Sequence, residues 1–479
     1  MMRNIRIFVV ALGLATHYTP AIAADLPSTT QLENIPGDLS SRSTPFIAWH
    51  GDLTKIGYLE SEYQMTGKAS VYQLDVNERL IKDIVDAPYT TRFLVRRPVD
   101  SEDFNGTVYL EILNATAGWD GDPIWQGTHR YMTQTGAAYV GLTSKPVAVN
   151  FLRDRWGDPE QFGKRNRERY AALSMPYFGQ VWDILAQLSN LLRAKNSTAN
   201  PLRDLTVQKL VLVGYSQSVD YEVTFANHFH EMAMIDGYYL GAGSGTVKRL
   251  NRLEGPEEYS IDDPHNLIRT RVPVVRFQTQ TEVQEPRFNA SRARQTEADF
   301  PLVRTYEMAG GAHVDVNTST NGARSMARDL GLSSHGAACD LPINPLPIDF
   351  VQAAMLSILS HWIDGTPPPP SELLAFTDIE SLALTFGPDG NAVGGIRLPQ
   401  LAMPMGRYLG RNTGEGFCFL YGGFAPIDHD AFEQRYGTKS DYLEQLRQRI
   451  KPVVEARFLL EGDVERFIEH ASSTIDSLE

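Results

Sequence analysis

Three side chains far apart in the chain have the types that nucleophilic acyl chemistry needs: Ser216, Glu282 and His313. Ser216 is the centre of Gly214-Tyr-Ser-Gln-Ser218. The apolar run Leu210-Val-Leu-Val213 leads into that pentapeptide, and Val219 to His230 after it carries enough helix formers to continue as a helix. A Gly-x-Ser-x-small turn between a strand and a helix holds a serine hydroxyl in a sharp, strained backbone at a helix N-terminus. Backbone N–H groups there can meet a developing oxyanion. The strain demands small neighbours, and Ser218 stands where the common form of the motif has glycine. The same residues also fit a plain strand-to-helix turn whose serine caps the helix, so the assignment turns on partners elsewhere in the chain.

A nucleophilic serine needs a base in contact with it and a group that orients the base. On α/β-hydrolase scaffolds these follow in the order serine, acid, histidine. His313 lies in Ala309-Gly-Gly-Ala-His-Val-Asp315, directly after the last core strand expected, and the glycine pair gives the loop freedom to bring the ring to Ser216. Glu282 is the only carboxylate at the immediate exit of the preceding strand, in Thr279-Gln-Thr-Glu-Val283. Asp236 is the competing acid, while Asp315 is too close to His313 in sequence to orient it easily. An oxyanion would be held by two main-chain amides. One belongs to Gln217, after the serine; the other lies near Ala115 in the small-residue loop Asn114-Ala-Thr-Ala-Gly-Trp-Asp120, which Asn114 shapes.

Those positions require a particular scaffold. Ser70–Val76, Thr90–Arg96 and Thr107–Leu113 alternate apolar and polar residues and predict an antiparallel edge. Ile124–Gln134 predicts a helix, Ala137–Thr143 a strand and Phe178–Leu192 an amphipathic helix. The elbow strand follows, then strands at Met234–Leu240, Val272–Gln278 and Val303–Met308. Strands separated by helices imply a mostly parallel, doubly wound sheet. Lys145–Met175, with Trp156, Phe162 and Tyr170, interrupts that rhythm above the sheet edge where ligands bind, as a lid, a substrate wall or a solvated excursion. Phe350–Ile363 predicts a helix ending at Gly365, before the stiff Pro367–Pro370 tract. The remainder is loop-rich, closing with helices near 440–459 and 462–471. The core is thus expected at about 85–365, with a C-terminal extension at 366–479.

The formal net charge is −14 and no basic run is present, a poor endowment for nucleic-acid binding. No stretch reaches the roughly 18–20 apolar residues of a membrane span. Residues 1–23 carry Arg3 and Arg6, the apolar run Ile7–Ala15 and the small-x-small site Ala21-Ile-Ala23, the pattern of a cleavable secretory signal peptide. Export sets a redox expectation for the two cysteines, Cys339 and Cys418: one disulfide rather than two buried thiols. Neither cysteine has a second ligand at metal-binding spacing. His228 and His230 point apart on a helix, and Asp262-Asp-Pro-His265 reads as a polar turn.

The chain resembles a family of secreted bacterial alpha/beta hydrolase domain proteins over nearly its whole mature length. The resemblance rests on Glu62-Tyr63 with Gly67, on Tyr89-Thr-Thr-Arg-Phe-Leu-Val-Arg-Arg-Pro98, and on Phe104–Asn114. It continues through Gly214–Ser218, Tyr306–Gly310 with His313, and Gly394–Pro399. It implies the fold and hydrolase chemistry. The Gly-x-Ser-Gln-Ser elbow is similar to the family's own form. The acid loop departs from the family pattern of Ser-Glu-x-Asp: Gln280 takes the earlier carboxylate's place and Glu282 the aspartate's. The expected reaction is hydrolysis of a small-molecule carboxylic ester through an acyl-enzyme, with no metal or organic cofactor. An acyltransferase or amidase using the same triad, or a non-catalytic binding protein on this scaffold, are the alternatives.

Overall fold

A computed structural model of the chain describes residues 26–33, 44–156, 167–250, 257–332 and 338–476. The expected signal peptide lies outside them, as does part of the insertion at 145–175. The centre is a nine-stranded sheet in the order β1-β2-β3-β5-β4-β6-β7-β8-β9. The strands are β1 (Ser28–Leu32), β2 (Tyr58–Leu74), β3 (Leu80–Pro98), β4 (Thr107–Ile112), β5 (Ala138–Leu142), β6 (Lys209–Tyr215), β7 (Gly237–Gly241), β8 (Val274–Thr279) and β9 (Val303–Met308). From β5 to β9 every pairing is parallel. From β1 to β5, by way of β2 and β3, every pairing is antiparallel. This is the alpha/beta-hydrolase architecture: a parallel sheet wound on both faces, opened by an antiparallel edge.

Three strand expectations are corrected. The edge is one long hairpin, β2–β3, with the short β1 outside it, and not three short strands; Val76 stands 99% exposed in the hairpin's turn. β4, expected to belong to that edge, pairs in parallel with both β5 and β6. Its alternation of Tyr109 and Glu111 with aliphatic residues mimics a half-buried strand, yet all six of its residues are buried. Helices cover both faces, so the polar members must find partners inside. Glu111 accepts from the amides of Ile124 and Trp125 and from the Tyr139 hydroxyl. The strand expected at Met234–Leu240 starts three residues later, because Asp236 turns its carboxylate back onto the Leu210 amide before pairing begins.

The helices that matter for the site are α1 (Pro123–Thr135), α2 (Val181–Arg193), α3 (Gln217–His228), α4 (Val316–Leu330), α5 (Ile348–Ile363), α6 (Lys439–Glu455) and α7 (Val464–Asp476). α2 buries the predicted stripe of Val181, Ile184, Leu185, Leu188, Leu191 and Leu192. On the opposite face, α5 packs with α1 against the sheet, and Phe350 meets Phe467 of α7 edge to face. Cys339 and Cys418 form a disulfide, as expected. Of the insertion, Phe151, Leu152, Trp156 and Tyr170 are buried in one cluster with Phe46, while Val147, Asp154 and Arg155 are exposed, and none of its described residues lines the cavity described below.

Candidate active site

From Leu210 to Tyr215 β6 is buried throughout, and the chain then reverses into α3 through Ser216 at φ 56°, ψ −125°. A left-handed φ on a non-glycine residue costs about 1–3 kcal/mol and persists only where its surroundings enforce it. Here the Ser216 amide donates to the Gly241 carbonyl at 2.8 Å, and its own carbonyl accepts from Val219 at 3.0 Å. Gly214 allows the close return of α3: a Cβ there would stand 2.5 Å from Glu222 Oε2. Behind the turn, the buried ammonium of Lys145 donates to Ser218 Oγ at 2.9 Å and to the Leu113 carbonyl at 2.5 Å. Lys145 therefore ties the elbow helix to the end of β4, where the Asn114 loop begins.

That loop is pinned from several sides. Asn114 and Gly121 exchange backbone hydrogen bonds at 2.8 Å, Asn114 Nδ2 donates to the Tyr215 carbonyl at 3.0 Å, and Asn114 Oδ1 accepts from the Thr116 amide. Two guanidiniums of β3, both inaccessible to solvent, hold its far end. Arg92 pairs with Asp120 and Glu62, and Arg96 with Asp122 and Glu60. Buried pairs of this kind are weak sources of net stability, but losing one member strands a charge. The Ala115 amide emerges from this loop and donates to Gln217 Oε1 at 3.4 Å.

His313 is 8% exposed on the loop after β9. Its Nδ1 lies 2.6 Å from Glu282 Oε1. Glu282 sits in the short helix Gln280–Val283 at the exit of β8, where its other oxygen accepts from the Thr279 amide and hydroxyl. The histidine loop is held by its backbone: Tyr215 donates to the His313 carbonyl at 2.6 Å, the His313 amide to Thr281 Oγ1 at 3.0 Å, and the Gly310 amide to Gln280 Oε1 at 2.9 Å. Gln280, which replaces a carboxylate of the family pattern, thus anchors the loop as a neutral acceptor. Asp236 lies at the start of β7, the sheet end away from the elbow, and is spent on Arg193 and the Leu210 amide. His228 and His230 do not converge; His230 bonds Tyr238. Among the described residues no group of His, Cys, Asp and Glu could hold a metal ion, and no helix is long and apolar enough to cross a membrane.

Ser216 and His313 open onto one cavity of about 280 Å³. Its apolar lining includes Trp119, Met326, Ile348, Phe417 and Leu420. Phe417, Leu420 and Tyr421 come from the segment held by the disulfide, and Gln126, Thr318 and Gln352 from α1, α4 and α5. None of these was singled out from sequence. The C-terminal wall stands a hundred or so residues beyond His313 in an irregular stretch with no local signal, though the glutamines do interrupt apolar helix faces.

The profile of the alpha/beta hydrolase domain family matches residues 24–469. The chain belongs to that family. No curated protein matches the hydrolase significantly. Among solved structures it is similar to the esterase Est22 (11% identity, TM-score 0.33, covering 58% of this chain and 81% of that one). It is also similar to the carboxylesterase Cest-2923 from Lactobacillus plantarum WCFS1 (11%, 0.29, 46% and 77%) and to a fungal esterase from Rhizomucor miehei (11%, 0.31, 55% and 82%).

Electrostatics beneath the hydrolase's elbow follow from burial. Desolvation pushes the Glu111 carboxyl up to about 8 and Glu222, whose two oxygens have no protein partner, well above the carboxylate range. Desolvation also lowers the Lys145 ammonium to about 7, against the pull of Asp120, Glu111 and Asp220. The neutral forms of these groups are the ones a dry interior accommodates.

Proposed function

We propose that this hydrolase is an exported serine esterase that cleaves small-molecule carboxylic esters through an acyl-enzyme. The observation that carries the reading is the 2.6 Å contact of His313 Nδ1 with Glu282, on a ring that shares one cavity with the strained Ser216. A carboxylate at Nδ1 keeps the proton there and leaves Nε2 as the acceptor, the tautomer a general base needs. Ser216 Oγ attacks the ester carbonyl as Nε2 takes its proton. The oxyanion of the tetrahedral intermediate is met by the amides of Gln217 and Ala115, the Gln217 carboxamide withdrawing from the Ala115 N–H to admit it. His313 then passes the proton to the leaving alkoxide, and water repeats the cycle on the acyl-Ser216 ester. Glu282 holds the ring in that orientation and stabilises the imidazolium as it forms. The disulfide supports function in an oxidising compartment such as the periplasm.

The test is steady-state hydrolysis of p-nitrophenyl esters by wild type, Ser216→Ala and His313→Ala, with a competing alcohol present in a second series. Each variant is expected to lose at least roughly 10³-fold in kcat. Ester cleavage that survives Ser216→Ala would sink the reading. Alcoholysis products exceeding hydrolysis products would make the enzyme an acyltransferase instead.

A further inference from the structure

Lys145 stands just beyond β5 and is 1% exposed. Its ammonium has three donors, and three partners surround it: the Leu113 carbonyl at 2.5 Å, Ser218 Oγ at 2.9 Å and the face of the Tyr221 ring, 5.0 Å from its centroid. None of the three is a carboxylate. Burying an ammonium on neutral partners costs free energy that an apolar side chain of similar size would not. Packing alone does not account for a lysine here.

The two residues it bonds support the two amides that face the oxyanion. Leu113 follows β4 and comes shortly before Ala115; Ser218 comes directly after Gln217. The exit of β5 grips the intervening loop at both ends, since Thr143 Oγ1 donates to Asp120 Oδ2 at 2.5 Å while Lys145 holds Leu113. Lys145 then carries that grip across to α3.

The last residue of the elbow motif is explained by the same bridge. A Cβ at Gly214 would stand 3.3 Å from Ser218 Cβ, so the close return of α3 keeps position 218 small. Of glycine, alanine and serine, only serine offers an oxygen to the lysine. The bridge matters most while the reaction is under way. At rest the Ala115 amide touches Gln217 Oε1 at 3.4 Å, a contact the entering oxyanion must displace. The bond from Asn114 Nδ2 to the Tyr215 carbonyl and the Lys145 bridge then hold loop and elbow together.

We infer that Lys145 and Ser218 are positioning residues, whose bridge to Leu113 fixes the separation of the Ala115 and Gln217 amides so that both meet the oxyanion. This rests on the serine-esterase reading of the same site. Donors displaced by a fraction of an ångström stabilise the transition state less and leave ground-state binding as it was.

The experiment measures kcat and KM for p-nitrophenyl acetate in wild type, Lys145→Met, Ser218→Ala and the double variant, with folding checked by circular dichroism and kcat expressed per site titrated with fluorophosphonate. Each single variant should lose about ten-fold in kcat with KM within about two-fold, because the oxyanion exists only beyond the ground state. The double variant should lose no more than the worse single one, since either change breaks the same bridge. Phenylboronic acid, which forms a tetrahedral adduct on an activated serine, should bind about ten-fold more weakly to all three. A merely structural role would lower the number of titrated sites and leave kcat per site and boronate affinity unchanged. Ser218→Ala removes a single hydroxyl and carries the test if Lys145→Met does not fold. Losses that multiply in the double variant, a loss carried by KM, or a kcat per site within about two-fold of wild type in folded Ser218→Ala would refute the bridge while the esterase reading stands. If the wild type hydrolyses no ester and takes no fluorophosphonate, the parent reading itself has failed.

Discussion

Removing the Cys339–Cys418 disulfide should weaken the fold and the proposed esterase activity together. The bridge closes a loop with a sequence separation of 79. In the chain-entropy account such a loop is worth about 4.5 kcal/mol against the unfolded state. Unfolding entropy of about 2.1 cal/mol/K per residue, over roughly 450 residues, converts this into a fall of about 5 °C in Tm. The local consequence is sharper. Cys418 begins the helical turn Cys418–Tyr421, whose Leu420 carbonyl accepts from the Val314 amide next to His313 at 3.0 Å, and Phe417, Leu420 and Tyr421 line the cavity. Releasing the turn frees both a cavity wall and a brace of the His313 loop, for which the proposed mechanism expects about a ten- to hundred-fold loss of kcat/KM. Thermal unfolding followed by circular dichroism, with ester hydrolysis alongside, measures both effects in Cys339→Ser/Cys418→Ser and in reduced wild type. The reduced wild type keeps the buried sulfur and isolates the cross-link from the cost of a buried serine hydroxyl. A Tm within about 1 °C of the oxidised protein, with the bridge shown by non-reducing peptide mapping, would refute the reasoning.

Further outcomes follow from single contacts. Glu282→Gln should retain the fold and lose about 10²- to 10⁴-fold in kcat, whereas Asp236→Asn should stay within about three-fold; stopped assays at pH 8 compare them, and the reverse order would remove Glu282 from its role. Ser216→Gly should abolish hydrolysis yet raise stability by about 1 kcal/mol in urea unfolding, because glycine adopts φ 56° without strain; a destabilised glycine variant contradicts the elbow strain. Lys145 is lowered by desolvation to about 7 when folded, so the unfolded chain binds the extra proton above that pH and stability rises as the pH increases. Between pH 7 and 9 the wild type should gain about 2 kcal/mol more than Lys145→Met, and equal gains would mean that burial does not lower the Lys145 ammonium.

Local chemistry was legible where the backbone itself must be special. A β-branched run, a glycine and a serine flanked by small residues describe the elbow because strain and close approach leave few other options. Glu282 and His313 were readable as the exits of successive parallel strands, a consequence of topology. What escaped depends on contacts between distant segments. β4 looked half-exposed because nothing local reveals that Glu111 caps α1 from inside the core. Arg92 and Arg96 read as a strand's polar face, although both are buried on carboxylates from β2 and the Asp120–Asp122 loop. Gln126, Thr318 and Gln352 lie on three helices and come together only where these enclose one cavity.

The most direct test of the central claim is covalent labelling of the oxidised, folded protein with a fluorophosphonate, followed by peptide mass spectrometry. The account predicts one adduct per chain, on Ser216, absent in Ser216→Ala and at least about 10²-fold slower in His313→Ala. A folded wild type that takes no label, or takes it at another residue, would contradict it.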